Sequence, residues 1–339
     1  MVTAFLEKWK ARPEPRTWRE EYRKHAKSFF RVGKPADDSW KEPVGLALEI
    51  VPLADPTRGN PSEDFPVQVL RNGEPASGFT LIALIDALKR KDSPFTVLDT
   101  HAGRGRYSLH DDAAQRTGEA EGGVGRVLGM PAKAAAITRY QQAIGACNSD
   151  GHLRIYPGSP LLAAMAMREN DRLSCREAQA DEARALASLF AHDRRVHVQH
   201  GDGWAAIKAL LPPTPRRGLV LIDPPYEAQL AEFDTALTTL TDGLRRWPQG
   251  IYALWYPIKR RRDLQPFLRA AAKLSAKHVL LAELLVRPDD SPLRLNGSGM
   301  LLLNPPWQVD AELAAALPEL AQVLGEAGAS QRLEWLRRE

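Results

Sequence analysis

Four residues, Asp223-Pro224-Pro225-Tyr226, concentrate the chemistry of this chain, and they stand directly behind the apolar run Gly218-Leu219-Val220-Leu221-Ile222. A strand that delivers an acid, two prolines and an aromatic suits an enzyme that must hold an unstacked base by its exocyclic amine. The carboxylate accepts a hydrogen bond from the amine, and the prolines deny the backbone a return into helix or sheet. The tyrosine ring is expected to be a surface on which the base stacks. On this reading Asp223, Pro224 and Tyr226 form the catalytic loop. The plainer alternative is an ordinary strand followed by a Pro-Pro turn.

Other polar residues fall at the ends of apolar runs. Asp99 closes Phe95-Thr96-Val97-Leu98 and is followed by Thr100-His101-Ala102-Gly103-Arg104-Gly105. Glycine removes the Cβ obstruction, so this turn allows close approach of a ligand, or is simply a structural turn. Glu177 follows a strand near Leu173 and can accept both hydroxyls of a ribose, or is an exposed residue near a helix start. Asp202-Gly203 follows Val196-His197-Val198-Gln199-His200. Asp202 can bind an adenine amine, cap the helix that opens at Trp204, or do both. His101 either orients a ligand or is a satisfied loop histidine. The run Lys259-Arg260-Arg261-Arg262 either holds phosphates near the site or is a solvated face. Asn304-Pro305-Pro306-Trp307 repeats the polar-Pro-Pro-aromatic pattern, but it lies in the last predicted strand and reads as a structural terminus.

The elements that must position these residues alternate as a mostly parallel α/β sheet requires. Leu81, Ile82, Leu84, Ile85 and Leu88 recur at helical spacing from near Leu81, with Lys89, Arg90 and Lys91 complementing the helix dipole. Strands are predicted at 95–99, near Leu173, around 196–198, at 219–223 and at 251–256. Val279–Val286 and Gly299–Asn304 could form a terminal hairpin. Open α/β sheets bind ligands at the carboxyl ends of their strands. The glycines here do not follow G-x-G-x-x-G, which weakens a dinucleotide-binding oxidoreductase as the rival.

Residues 1–79 differ in character from 80–339. They are rich in proline and charge, and carry β-like runs at Leu46–Val51 and Pro66–Leu70 ahead of the turn signal Asn72-Gly73. The chain of 339 residues is 44% hydrophobic, with Lys and Arg exceeding Asp and Glu by 46 to 42. It reads as soluble and globular, and as mildly basic, which permits a nucleic-acid partner without demanding one. Cys147 and Cys175 form neither a C-x-x-C pair nor a disulfide framework, so a cytoplasmic location is expected. No signal peptide, membrane span or metal site is expected.

Adenine N6, cytosine N4 and some glutamine amide methyltransferases share the Asp-Pro-Pro-aromatic loop, and seven strands in this order resemble the sheet of class I methyltransferases. Beyond about residue 81 the chain more specifically resembles the RlmJ-type 23S rRNA adenine N6-methyltransferases. The stretches that carry this are Leu98 to Tyr107, Arg116-Thr117-Gly118-Glu119, Tyr156 to Leu161, Asp202-Gly203, Arg216 to Glu227, Tyr252 to Pro257, and Gly299 to Trp307. The resemblance implies a Rossmann-like α/β domain with S-adenosylmethionine as cofactor, and N6-methylation of an adenine in protein-free 23S rRNA. It implies cofactor contacts from His101, Ser159, Glu177, Asp202, Gly203 and Asp223, with Asp223 as the catalytic acceptor. It also implies a small helical insertion at about residues 108–155 on the RNA side.

One family feature is missing. RlmJ-type proteins open with a tract reading approximately Tyr-Arg-His-x-Phe-His-Ala-Gly-Asn-His-Ala-Asp-Val-Leu-Lys-His, just before the helix that here is predicted from Leu81, and this chain has no such tract. Residues of about 19–82 instead resemble part of a family of secreted β-sandwich proteins linked with metal uptake, through Tyr22 to Gly33 and Pro43 to Pro56. The chain therefore reads as a chimera joined near Thr80. Two other functions stay open at this stage: methylation of DNA adenine, and nucleic-acid binding by an enzyme impaired by its altered N-terminus.

Overall fold

A computed structural model describes residues 74–109, 121–226, 229–291 and 295–339. The chain divides into units at 1–65 and 66–339, and every described residue belongs to the second. The strands expected at 46–51 and 66–70 lie outside the described residues, as does Asn72-Gly73.

The centre of the fold follows from its most apolar segments. Strands β1 (Thr96–Asp99) and β6 (Gly218–Ile222) are buried at every position, as parallel strands covered on both faces must be. They pair in parallel, and β4 (Arg172–Glu177) lies on the other side of β1. Beyond β4, β5 (Val196–His200) is a partly exposed outer strand, parallel to its neighbour. On the other flank β7 (Ile251–Ile258) continues the parallel set and is buried throughout. Strand β9 (Gly297–Leu303) then pairs antiparallel with both β7 and β8 (His278–Leu285), so β8 runs in the same direction as the central strands.

The expected β8–β9 hairpin is present but not terminal. A further strand, β10 (Ser330–Arg338), pairs antiparallel with β8, making eight strands in the order β10-β8-β9-β7-β6-β1-β4-β5. The seven strands anticipated are all there. The eighth escaped because its sequence, SQRLEWLRR, is a half-exposed edge strand without an apolar run.

Helix α1 covers Glu74–Lys89, beginning several residues before the predicted start. Residues 74–79, assigned from sequence to the β-rich segment, are thus helical. Between the short strands β2 (Arg106–Ser108) and β3 (Ile155–Pro157), which pair antiparallel, stand a π-helical turn at Glu121–Gly125, a helical turn at Arg126–Gly129 and helix α2 (Ala135–Cys147). The remaining crossovers are α3 (Ser159–Ala166), α4 (Ala180–Leu189), α5 (Gly203–Leu210), α6 (Gln229–Arg246) and α7 (Gln265–Ala271), with α8 (Val309–Leu324) ahead of β10. Parallel strands require such crossovers, and the result is that the carboxyl ends of β1, β4, β5, β6 and β7 share one edge. Among the described residues no helix is long and apolar enough to cross a membrane.

Candidate active site

Asp99 ends β1 in a dry environment, 1% exposed. Ser159, the first residue of α3, donates its hydroxyl to Asp99 Oδ2 at 2.7 Å, while Oδ1 is buried without a hydrogen-bond partner among the described residues. Burial pushes the carboxyl up to about 7, against the Ser159 hydrogen bond and the pull of the nearby His101 backbone N–H, and with a smaller upward push from Glu177. An orphaned carboxyl oxygen at the end of the central strand suits a ligand that carries a cationic amine.

The turn after β1 is held by Glu177. One carboxylate oxygen accepts the Gly103 N–H at 2.8 Å and the other accepts the Gln179 N–H at 2.7 Å. Gly103 has φ +59°, a left-handed conformation that glycine adopts without steric cost. Glu177 is buried rather than an exposed helix-start residue, and both of its oxygens already bind backbone. A carboxylate oxygen has two lone pairs, so ribose hydroxyls would share Glu177 with the turn it secures.

His101 stands where the sequence places it, with its state now defined. Thr100 Oγ1 donates to the Leu221 carbonyl at 3.0 Å and lies 2.8 Å from His101 Nδ1. A hydroxyl has one proton, so with that proton on Leu221 the imidazole donates from Nδ1 and keeps Nε2 as an acceptor. Desolvation lowers the imidazole to about 4, so it is neutral near pH 7. Its ring meets Trp204 edge-on at 4.9 Å, a partner that sequence reasoning passed over.

Asp202 caps α5, accepting the Trp204 N–H at 2.9 Å, which satisfies the capping reading and leaves its other oxygen for a ligand. Gly203 has a stricter task. A Cβ there would lie 1.9 Å from the Thr100 carbonyl oxygen, so glycine is what lets α5 come against the end of β1. Beside Asp202 a groove of about 440 Å³ opens between α5 and α6, lined by Trp204, Lys208, Asp234, Thr235 and Thr238 among others.

Asp223 follows β6 at the same edge and is partly exposed, with Pro224 buried and Pro225 exposed. Tyr226 requires a correction. Instead of offering an open ring to a base, it is 6% exposed, packs against Phe233 and Trp255 at 5.3 and 5.7 Å between ring centroids, and donates its hydroxyl to the Trp255 carbonyl at 2.7 Å. Its backbone has φ +52°, which costs a non-glycine residue about 1–3 kcal/mol. The hydroxyl bond and ring packing offset that cost, so in this conformation Tyr226 is the anchor that turns the Asp223 loop back over β7. Burial, and next the Asp223 charge, raise its pKa well above the ordinary phenol value.

The site residues named from sequence therefore divide in two. Asp99, His101, Ser159, Glu177, Asp202 and Gly203 are tied together by the contacts above, and Asp223 arrives separately on β6, whose Leu221 is in register with Asp99. Asn304-Pro305-Pro306-Trp307 lies at the opposite edge, because β9 runs antiparallel. There Asn304 donates to the carbonyls of Pro248 and Gly250 and accepts the Lys277 N–H, stitching loops together. In the basic run, Arg261 is committed to Glu283 at 2.9 Å while Lys259, Arg260 and Arg262 are exposed. No group of three or more metal-ligating side chains occurs among the described residues.

Comparison with known proteins agrees with this architecture. The family model described as Ribosomal RNA large subunit methyltransferase D, RlmJ, matches residues 92–337, and one for a domain of unknown function (DUF4198) matches residues 3–109. Within that second match the described residues form α1, β1 and β2, of which β1 lies in the main sheet. The chain is 39% identical over 245 residues to Ribosomal RNA large subunit methyltransferase J of Escherichia coli K12, covering 72% of this chain and 87% of that protein. It is 36% identical over 258 residues to the Haemophilus influenzae protein of the same name, covering 76% and 92%. A crystal structure of a Legionella pneumophila protein superposes with a TM-score of 0.68 at 30% identity, covering 76% of this chain and 94% of that one. By the family model and the two relatives it matches, the chain belongs to the RlmJ family of ribosomal RNA large subunit methyltransferases.

Proposed function

We propose that the protein transfers a methyl group from S-adenosylmethionine to N6 of an adenine in protein-free 23S rRNA. The observation that carries this is Asp223-Pro224-Pro225 held at the carboxyl edge beside β1, whose Asp99 keeps a buried oxygen unpaired. Both relatives described above are named as large-subunit rRNA methyltransferases.

Each residue then has a task. Asp99 faces the cationic amine of the cofactor's methionine portion. Glu177 takes the ribose hydroxyls while retaining Gly103, and Asp202 takes the adenine amine while retaining Trp204. Ser159 and His101 line the same pocket, with Gly203 providing the room. The cofactor supplies a methyl already activated on a sulfonium, so positioning contributes most of the rate. Asp223 and the Pro224 carbonyl accept the two amine hydrogens of the unstacked adenine and so aim the nitrogen lone pair. Asp223 need not be a strong base, because the amine sheds a proton readily once methylated. A base that stacks in the loop meets Pro225, the exposed member, or frees one face of Tyr226 from its packing. The same reading assigns catalysis to residues 80–339 and sets the insertion at 108–155 on the RNA side.

The test is transfer of labelled methyl to protein-free 23S rRNA, assembled large subunits and duplex DNA side by side. N6-methyladenine in the free rRNA is expected. Label on duplex DNA alone would replace the RNA reading.

A further inference from the structure

A buried charge network sits under the basic loop that follows β7. Tyr256, Gly299, Glu283 and Arg332 are in register across β7, β9, β8 and β10. A Cβ on Gly299 would fall 2.2 Å from the Tyr256 ring, so the bare backbone of β9 is what lets that ring lie across it. Tyr256 reaches over and donates to Glu283 Oε1 at 3.0 Å, while Arg261 Nε donates to Oε2 at 2.9 Å and Arg332 stands 3.8 Å away. The Glu283 side chain is wholly buried.

The loop itself is held at further points. Asn296 donates to the Lys259 carbonyl at 2.7 Å, Asp289 accepts the Arg261 N–H at 2.6 Å, and Ser330 accepts from the Arg261 guanidinium at 3.1 Å. Taking a carboxylate and a guanidinium out of water is costly and seldom stabilises a fold on balance. Here the outlay produces a rigid turn that exposes Lys259, Arg260 and Arg262. Asp263 pairs with Arg260 at 2.7 Å and lies 3.7 Å from Arg262, and Asp289 also sits on the turn, so the outward surplus of Lys259, Arg260 and Arg262 over these two carboxylates is one positive charge. The turn stands at the catalytic edge, four residues past Trp255, to which Tyr226 of the Asp223 loop is bonded. At the rise of a strand that is about 13 Å.

We propose that Lys259, Arg260 and Arg262 form a preorganised phosphate clamp that holds the backbone of the substrate RNA close to the target base, with Glu283 as its positioning residue. This rests on the RNA-directed reading above, and a ready-made cationic turn is what backbone phosphates select. A flexible lysine-arginine loop would lose affinity to ordering, which the buried network has already supplied.

Two readouts separate the clamp from the catalytic reading. Binding of fluorescein-labelled, protein-free 23S rRNA is followed by anisotropy across a salt series, independently of methyl transfer, and KM and kcat are measured alongside. Removing all three cations as Lys259→Ala, Arg260→Ala and Arg262→Ala is expected to weaken RNA binding about tenfold or more, and to reduce the log–log salt slope by about 2. The KM for RNA rises far more than kcat falls, as for a contact made equally in ground and transition states. A matched set at the opposite edge, Lys91→Ala, Lys273→Ala and Lys277→Ala, leaves both binding and slope as they were. Glu283→Gln is expected to raise KM for RNA without changing cofactor affinity; a purely structural Glu283 would lower the melting temperature and leave KM alone. Unchanged RNA binding in the first triple variant, an equal effect from the control set, or no RNA binding by the wild-type protein would each overturn the clamp. Normal RNA binding with no methyl transfer would instead count against the proposed activity.

Discussion

Asp99 and Tyr226 both sit in surroundings that their residue types do not suggest. Asp99 holds its proton up to about 7 in the folded protein against an ordinary value of 3.8. Its folded pKa is raised, so the native state keeps a proton that the unfolded chain has lost, and stability falls as pH climbs from about 4 to 7. The full effect is on the order of 4 kcal/mol, and thermal melts from pH 4 to 8 should show it, with Asp99→Asn flattening the profile. A cationic amine bound at Oδ1 favours the ionised form. Cofactor binding should therefore release close to one proton near pH 6 and should instead take up protons near pH 8.5, where the free α-amino group, with a pKa of about 8, is largely neutral and must be bound as the cation; affinity should rise up to about pH 7. Calorimetry in buffers of different ionisation enthalpy measures this; no proton release near pH 6, where the amine is already cationic, would separate Asp99 from the cofactor amine. Tyr226→Phe removes the bond to the Trp255 carbonyl and should cost about 1 kcal/mol of stability, read by denaturant titration. If Tyr226 acted only as an open stacking surface, stability would not change.

At the level of elements, the site depends on how closely α5 meets the end of β1. Gly203→Ala would drive a methyl into the Thr100 carbonyl oxygen, so α5 must shift, at a cost of roughly 1–3 kcal/mol. That shift also moves Asp202, Trp204 and the edge contact to His101. Cofactor affinity should drop at least tenfold, and the variant should still fold; wild-type affinity would show that α5 does not shape the pocket. This glycine could be named from sequence, but not explained there, because the obstruction lies about a hundred residues earlier in the chain. Glu283 gave no signal at all. It stands alone in the apolar run of β8, and its partners Arg261 and Tyr256 are 22 and 27 residues away. The packing of Tyr226 is hidden from the sequence for a similar reason, since Phe233 and Trp255 come from a later helix and strand.

For the molecule as a whole, the alternation of apolar runs with helical spacing was enough to lay out the parallel sheet, because buried parallel strands such as Gly218–Ile222 advertise themselves by composition. Strand β10 did not, since charged residues break it and its pairing with β8 is what makes it a strand. Polar residues at strand ends were legible because crossover topology sends every such end to one edge. The contacts among them were not. The central claim, that this edge delivers an exocyclic amine to an activated methyl, is tested most directly by Asp223→Ala assayed for labelled methyl transfer to protein-free 23S rRNA, with S-adenosylmethionine binding measured in parallel. N6-methyladenine is expected from the wild-type chain, with a loss of about two to four orders of magnitude in the variant and cofactor affinity within a few-fold. Transfer by the variant at wild-type rate would contradict the claim.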